Sequence, residues 1–216
     1  NWDVSNVQIM TNMFNNNVTF NQQINTWDTS NVVSMDNMFK STWSFNQPLD
    51  NWETGNVVTM QGMFENSRVF NQLLNDWDFS SVVNMQGMFK GSRSYNQLPI
   101  WNTSNLVFCQ ELFATSAFNK NITSIDFTNC KFFNGLFKEN LVYNQPMNSF
   151  LVGSTQINIE LTDMFNGATG FNQPLNGWNF DNVISLVGFM DGKTSADYNP
   201  VHYDLILRDL NLNNNI

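Results

Sequence analysis

Four acidic residues recur at intervals of 25 residues and are the first candidates for chemistry. They are Asp3, Asp28, Glu53 and Asp78, in a column continued by Asn102, Asp126 and Asn179. Carboxylates on stacked neighbouring strands could bind Ca²⁺, which prefers oxygen ligands and accepts flexible coordination. The EF-hand spacing is absent, however, and each acid lies two residues before a Ser, Thr or Gly. We therefore expect a solvated polar row or carboxylates that support turns, with a calcium site as the weaker alternative.

No catalytic centre is predicted. The chain has one histidine, His202, so the sequence offers neither a Ser-His-Asp triad nor a His-based metal cluster. Paired carboxylates can hydrolyse glycosides, but no acid departs from the repeat to form a separate pocket. We expect Cys109 and Cys130 to be two small buried thiols, with a disulfide as the alternative. The chain is therefore expected to be non-catalytic and to need no cofactor.

The candidate residues recur because the whole chain repeats. The period is clearest in the column of Trp2, Trp27, Trp52, Trp77 and Trp101. The same step relates a Val column, two Met columns and two aromatic columns, all of which are predicted to form the core. In the second repeat these columns are represented by Val32, Met35, Met38, Phe39 and Phe45. Eight repeats of about 25 residues fill residues 1–200, and residues 201–216 are predicted to be a capping helix and a tail.

Each repeat contains two segments with different patterns. Val, Met, Met and Phe fall at i, i+3, i+6 and i+7, which predicts a short helix or 3₁₀ turn. The Ser or Thr that precedes most of these Val residues by two positions is a favoured N-cap. In the segment around Trp, Trp52 and Thr54 alternate with the polar Asn51 and Glu53, which predicts a short strand. The pattern therefore predicts an α/β repeat: a curved solenoid with one parallel strand and one short helix or 3₁₀ turn per repeat.

An Asn follows the second aromatic column in every repeat. The members of this column are Asn21, Asn46, Asn71, Asn96, Asn119, Asn144, Asn172 and Asn199. One interpretation is a surface that recognises sugars. We favour a buried ladder of side chains that satisfies backbone groups at each turn, because buried polar groups must be paired.

The motif W-D-x-S-N-V-x-x-M-x-x-M-F, followed by F-N-Q-x-L-N-x-W, closely resembles the BspA-like surface repeats. These are leucine-rich-repeat relatives that are also described as mycoplasma lipoprotein-associated repeats. The likeness covers about residues 1–200 and is best in the first four repeats. It implies a leucine-rich-repeat-like solenoid on a cell surface, on a virus particle or in the extracellular space. It also implies a role in adhesion or protein–protein interaction. The motif residues are scaffold positions, so the resemblance implies no particular binding site.

Charge and hydropathy narrow the classes of partner. Charged residues make up 12% of the chain and the net charge is −9. Nucleic acid is therefore not an expected partner, because phosphate binding needs clustered Lys and Arg. No segment approaches the apolar length of a membrane span. The expected partner is a host or matrix protein, or further copies of the same chain.

We expect the partner to bind the outer row of the predicted sheet. This row consists of Asn1, Thr26, Asn51, Asp76, Ile100 and Ser124, with the acidic column beside it. The first alternative is a structural subunit of a filament, surface layer or virion. The second is a carbohydrate-binding module, which rests on the abundance of Asn and Trp. That module requires Trp43, the only Trp outside the core column, to be exposed.

Overall fold

Successive repeats of the computed structural model are joined in parallel, residue by residue. The structure describes residues 2–98, 100–147, 150, 157–175, 177–194, 197–199 and 201–202. A chain of parallel β-bridges connects seven repeats through Ile9, Ser34, Thr59, Asn84, Phe108, Phe132 and Glu160. Each bridge lies immediately before the first Met column or its equivalent. The repeats are therefore in register with one another along the described chain.

Two strands are long enough to be assigned as elements. β1 is Ile159–Glu160 and β2 is Val183–Ser185. They pair in parallel, with Ile159 opposite Val183 and Glu160 opposite Ser185. The pairing shifts by one residue between these two contacts. The two repeats thus remain paired in parallel although they differ in length.

The segment predicted as a helix forms a series of turns instead. In the second repeat, Met38 N–H donates to Met35 O and Lys40 N–H donates to Asn37 O, at 3.2 and 3.1 Å. Between these turn bonds, the N–H groups of Asn37 and Phe39 donate to carbonyl oxygens of the third repeat, at 2.7 and 2.9 Å. Alternate N–H groups therefore close a turn or bind the next repeat, which no helix allows.

Positive φ angles explain why the helical prediction is wrong. Two positions in each of these segments have φ near +60°, for example Gly62 and Asn66 at +59° and +56°. A residue with φ in this region is not part of a right-handed helix, and Gly and Asn tolerate it best. Such a residue is what the third position of a type II turn requires. Within the described residues, helical backbone is found only at Val201 and His202, where the predicted capping helix begins. Residues 203–216 of that prediction lie outside the described residues.

The segment that leads to each Trp is also different from the prediction. Asp50 and Asn51 form a turn, which Trp52 N–H closes by donating to Leu49 O at 3.2 Å. Asp and Asn favour turns over strands. Trp52 and Thr54 are buried and Glu53 between them is exposed, as in an alternating strand, so the pattern alone did not distinguish the two structures. The parallel ladder is formed by the Val-x-x-Met segment instead.

Aromatic columns run through the core. The rings of Phe39 and Phe64 are stacked with centroids 5.5 Å apart, and those of Phe64 and Phe89 are 5.6 Å apart. The second aromatic column packs against the first within each repeat, with Phe64 and Phe70 at 4.0 Å. Offset-stacked rings add a specific attraction to the burial of apolar area. The predicted aromatic, Val and Met columns are largely buried, as expected.

The Trp column binds the backbone as well as packing in the core. Trp52 Nε1–H donates to Ile24 O at 3.0 Å, and Trp77 Nε1–H donates to Leu49 O at 2.8 Å. These indoles thus bind the turn of the immediately preceding repeat, whereas the buried Trp101 Nε1 has no hydrogen-bond partner among the described residues. A buried indole N–H needs such a partner. These bonds fix the turns to the core.

Cys109 and Cys130 are joined by a disulfide between adjacent repeats. Their Cα atoms are 6.7 Å apart. The expectation of two free thiols is therefore wrong, and the alternative pairing is the one found. The two cysteines occupy different columns, Met-like and Val-like, which the parallel register brings side by side.

We predict that Tyr143→Phe stabilises the fold at neutral pH. The Tyr143 hydroxyl is buried without a hydrogen-bond partner among the described residues, and most equivalent positions hold Phe. Removing an unpaired buried hydroxyl should increase the free energy of unfolding by about 1 kcal/mol in urea titrations at pH 7.

The Tyr143→Phe variant should also lose less stability than the parent chain when the pH becomes alkaline. Burial raises the pKa of Tyr143 well above its ordinary value of 10.0. In the parent chain, Tyr143 therefore ionises more readily when the chain is unfolded. The free energy of unfolding of the parent chain consequently falls as the pH rises above about 10. Tyr198→Phe is the control, because the Tyr198 hydroxyl donates to Gln173 O at 2.9 Å and its loss should be destabilising. Destabilisation of Tyr143→Phe at pH 7 would contradict the prediction.

Candidate interaction surface

The row predicted to bind a partner lies on exposed turns. Its described members are Thr26, Asn51, Asp76, Ile100 and Ser124, all of which are exposed. Asn1 lies outside the described residues. Thr26, Asn51, Asp76 and Ser124 each lie in a turn between a buried aliphatic residue and the Trp-column position, whereas Ile100 is not part of a turn. The row is thus an outward-facing line with one residue per repeat, although it is not part of a sheet as predicted.

The acidic column beside this row supports turns. Asp28 Oδ1 accepts hydrogen bonds from Ser30 Oγ and Ser30 N, at 2.6 and 3.1 Å. Asp3 makes the same pair of bonds with Ser5, and Asp78 accepts the N–H of Ser80 at 2.8 Å. Hydrogen bonds to a carboxylate favour its charged form. The Ser30 hydroxyl, and next its N–H, therefore lower the pKa of Asp28 below 3.8.

Glu53 differs from the other members of the acidic column. Gly55 replaces the Ser found in most other repeats, so no hydroxyl is available at this position to bind the Glu53 carboxylate. The backbone carbonyl of Glu53 accepts the hydroxyl of the buried Thr29 at 3.0 Å, just as the Asp78 carbonyl accepts the Thr54 hydroxyl. In the part of the chain that the structure describes, no three His, Cys, Asp or Glu side chains converge as ligands of one metal ion. The turn-supporting interpretation of the column is therefore confirmed for Asp3, Asp28 and Asp78.

The Asn column forms a ladder, but none of its members is buried as predicted, since five are exposed and three are partly buried. Asn71 N–H donates to Asn46 Oδ1 at 2.9 Å, and Asn96 N–H donates to Asn71 Oδ1 at 3.0 Å. The bond recurs between repeats up to the pair of Asn199 and Asn172. The Gln that follows shares the same acceptor, since Gln72 Nε2 donates to Asn46 Oδ1 at 3.0 Å. One side-chain oxygen thus serves two donors of the next repeat.

A second amide ladder was not predicted. The Asn of the Ser-Asn-Val motif donates through Nδ2 to the carbonyl of the preceding repeat's capping residue. Asn56 binds Ser30 O at 2.7 Å, and Asn105 binds Ser80 O at 2.7 Å. Ser81, which replaces Asn in the fourth repeat, makes the equivalent bond to Gly55 O at 2.6 Å. The recurrence of Asn at this position was the available signal.

Two further surface features are present, of which the sequence analysis had considered only Trp43. Along the β-bridges, Val33 and Val58 are exposed and lie in consecutive repeats. On another flank, Trp43 is 42% exposed and the guanidinium of Arg68 lies over its ring. Val33, Val58, Val83 and Val107 recur at the repeat step, so periodicity could have indicated the first feature. Trp43 and Arg68 are unlike residues at equivalent positions, so periodicity did not indicate their contact. Among the described residues, no helix has both the length and the hydropathy to cross a membrane.

Comparison with known proteins gives a family but no activity. The model of a family described as Mycoplasma protein of unknown function, DUF285, matches residues 1–100 and again residues 96–202. Each match corresponds to four consecutive repeats. No curated protein and no solved structure matches the chain.

We predict that Asn71→Ala destabilises the fold by about 1–3 kcal/mol, because it leaves the N–H of Asn96 without its acceptor. Asn71→Asp retains an oxygen at this position and should recover most of the loss. The control is Gln22→Ala, an exposed Gln that follows the first member of the Asn column, which should change stability by less than about 0.5 kcal/mol. Urea unfolding measures all three, and equal stability of Asn71→Ala and Gln22→Ala would contradict a structural ladder.

We also predict that Ser30→Ala raises the pKa of Asp28 towards its ordinary value. The hydroxyl that most strongly stabilises the carboxylate is removed, while Asp78 keeps its own Ser80. Carbon-detected NMR titration would follow both carboxyl groups in one sample. Ser44→Ala, whose hydroxyl bonds Val18 O elsewhere, is the control. An unchanged titration of Asp28 in Ser30→Ala would show that the hydroxyl has no part in its pKa.

Proposed function

The chain belongs to the Mycoplasma family of unknown function, DUF285, and from that premise we propose that it is a non-catalytic repeat protein that mediates adhesion or protein–protein interaction. We further propose that it is a BspA-like, leucine-rich-repeat-like solenoid at a cell or virus-particle surface or in the extracellular space. Its partner is a host or matrix protein. The proposed binding surface is the row of exposed turns, with the acidic column beside it.

The observation that carries this proposal is the contrast between constant and variable positions. The scaffold positions of each repeat keep their residue type, because Phe, Trp and Asn must stack or bond in register. The exposed turn row changes from Thr26 to Asn51 to Asp76 to Ile100. A rigid scaffold that varies its side chains along one exposed line is the usual design of a repeat-protein binding surface.

Charge indicates the kind of protein partner. Asp28, Glu53, Asp76 and Asp78 are exposed in or beside the row in three consecutive repeats. Complementary charge steers association and excludes partners of like charge. We therefore propose that the partner presents a basic surface. Ile100, at 62% exposure, offers an apolar contact at the end of the acidic stretch.

Two alternatives remain. A structural subunit would associate with copies of itself. A carbohydrate-binding module would need an exposed aromatic ring, and Trp43 meets that requirement. The turn row is the better supported surface because it extends over five repeats.

The test is binding of the labelled chain to cultured host cells before and after protease treatment. Asn51→Arg together with Asp76→Arg places two bulky cations in the row, and binding should fall by about tenfold or more. The control, Gln22→Arg with Asp181→Arg, changes net charge equally at two other exposed sites. Both variants should unfold at the same urea concentration as the parent chain.

Unchanged binding by the turn-row variant would remove this surface. Equal loss in both variants would show that net charge alone matters. Sedimentation of the parent chain at high concentration separates the structural alternative, since growth into large oligomers would favour it. Binding that survives protease treatment of the cells would argue against a protein partner.

A further inference from the structure

Trp43 lies outside the Trp column, whose members Trp52, Trp77, Trp101 and Trp178 are buried, although Trp2 in the first repeat is 65% exposed. It lies in the loop between the two aromatic columns of the second repeat, and it is 42% exposed, whereas Trp52 is 2% exposed. The equivalent positions in the third and fourth repeats hold Arg68 and Arg93, both exposed. An aromatic residue and two arginines therefore occupy one line along a flank of three consecutive repeats.

The geometry of this line is defined by stacking and hydrogen bonds. Ser44 Oγ donates to Val18 O at 2.8 Å, and Ser94 Oγ donates to Arg68 O at 2.7 Å, so the loops of successive repeats are bonded together. The rings just beyond these loops, Phe70 and Tyr95, have centroids 6.1 Å apart. Arg68 and Arg93 thus occupy equivalent positions of adjacent repeats, one repeat spacing apart along this flank.

Contact with Trp43 positions the first of the two guanidinium groups. The Arg68 Cζ atom lies 3.7 Å from the centroid of the Trp43 ring. Attraction between a guanidinium and an indole face orders the long Arg side chain before any ligand arrives. The N–H donors of a guanidinium are arranged as a fork that matches a carboxylate or a sulfate. Trp43 therefore prepares Arg68 to bind an anion.

Local charge supports an anionic ligand although the whole chain carries −9. Residues 41–49, 66–75, 91–100 and 115–124 contain no Asp or Glu, but they include Arg68, Arg93 and Lys120. Neither Arg68 nor Arg93 forms a salt bridge with a described residue. By contrast, Lys90, three residues before Arg93, is paired with Glu111 at 2.6 Å. The flank is thus an unneutralised basic line on an acidic protein.

The backbone of this flank favours a saccharide over an extended peptide. The N–H groups of Asn71 and Asn96 donate to the Asn ladder, and Gln97 Nε2 occupies Asn71 O at 2.8 Å. A peptide that adds as a strand needs free main-chain groups. Ligand recognition on this flank therefore depends on side chains. The guanidinium groups can bind an anionic group, and the C–H groups of a sugar ring can pack against the exposed indole of Trp43.

We propose that Trp43, Arg68 and Arg93 form a binding site for an anionic saccharide. The carboxylate or sulfate group lies between the two guanidinium groups, and the sugar ring contacts the exposed part of Trp43. This site goes beyond the proposed protein-binding function and does not rest on it, because it lies on a different surface from the turn row.

The test is isothermal titration of the intact chain with a heparin hexasaccharide and with trigalacturonic acid, which separate sulfate from carboxylate recognition. At least one should bind, with affinity that falls as salt is added. Arg93→Gln and Arg68→Gln should each weaken binding by about tenfold or more, because each removes a charge-assisted hydrogen bond. Arg68→Lys keeps the charge but not the fork and should give an intermediate loss. Trp43→Phe should retain binding and reduce the change in tryptophan fluorescence.

Lys131→Gln is the matched control, because it removes one exposed positive charge elsewhere on the chain. It should change affinity by less than about twofold. Failure of both saccharides to bind, or an equal loss with Lys131→Gln, would overturn the proposal. So would competition by polyglutamate at matched charge, which would identify an acidic peptide as the preferred ligand. Each outcome leaves the cell-binding result for the turn row unaffected.

Discussion

The structure depends on one constraint: alternate N–H groups of the turn segment find their acceptors only in the following repeat. Met35, Asn37, Phe39 and Ser41 each donate to a carbonyl one repeat onward. An unpaired backbone N–H away from water costs free energy comparable to a lost hydrogen bond. One repeat alone therefore cannot satisfy its own backbone. The repeat length, the turn geometry and the aromatic stacking all follow from keeping these bonds in register.

The amide side chains extend the same constraint to the surface. In an ordinary sheet the backbone supplies both donors and acceptors, but here tight turns direct some N–H groups away from any carbonyl. Asn46 Oδ1 replaces the missing acceptor and binds both Asn71 N–H and Gln72. This explains why a chain with 12% charged residues is nevertheless polar on its outside. Amides are used because they both donate and accept without adding like charges at close spacing.

Periodicity in the sequence predicted the contacts between side chains that recur in successive repeats. It was less informative about residues whose role depends on their backbone conformation. The aromatic columns and the Asn ladder were predicted because stacking in register requires identical side chains. The helix was wrongly predicted because a stripe such as Met60, Met63 and Phe64 has the same spacing on a helix and on consecutive turns. Gly62, between them, was the sign of positive φ. The contact of Trp43 with Arg68 joins two unlike residues 25 positions apart, and only the observed register brings them together.

The disulfide between the fifth and sixth repeats has a mechanical consequence. A stack held by nearest-neighbour bonds unravels from its ends when pulled, one repeat after another, and each released repeat lengthens the chain. The bond between Cys109 and Cys130 closes a segment with a sequence separation of 21 residues. At about 3.4 Å per extended residue, the disulfide therefore prevents about 70 Å of chain from extending. Under tension the repeats on either side of the disulfide can therefore extend, whereas the segment between the two cysteines cannot extend until they are reduced.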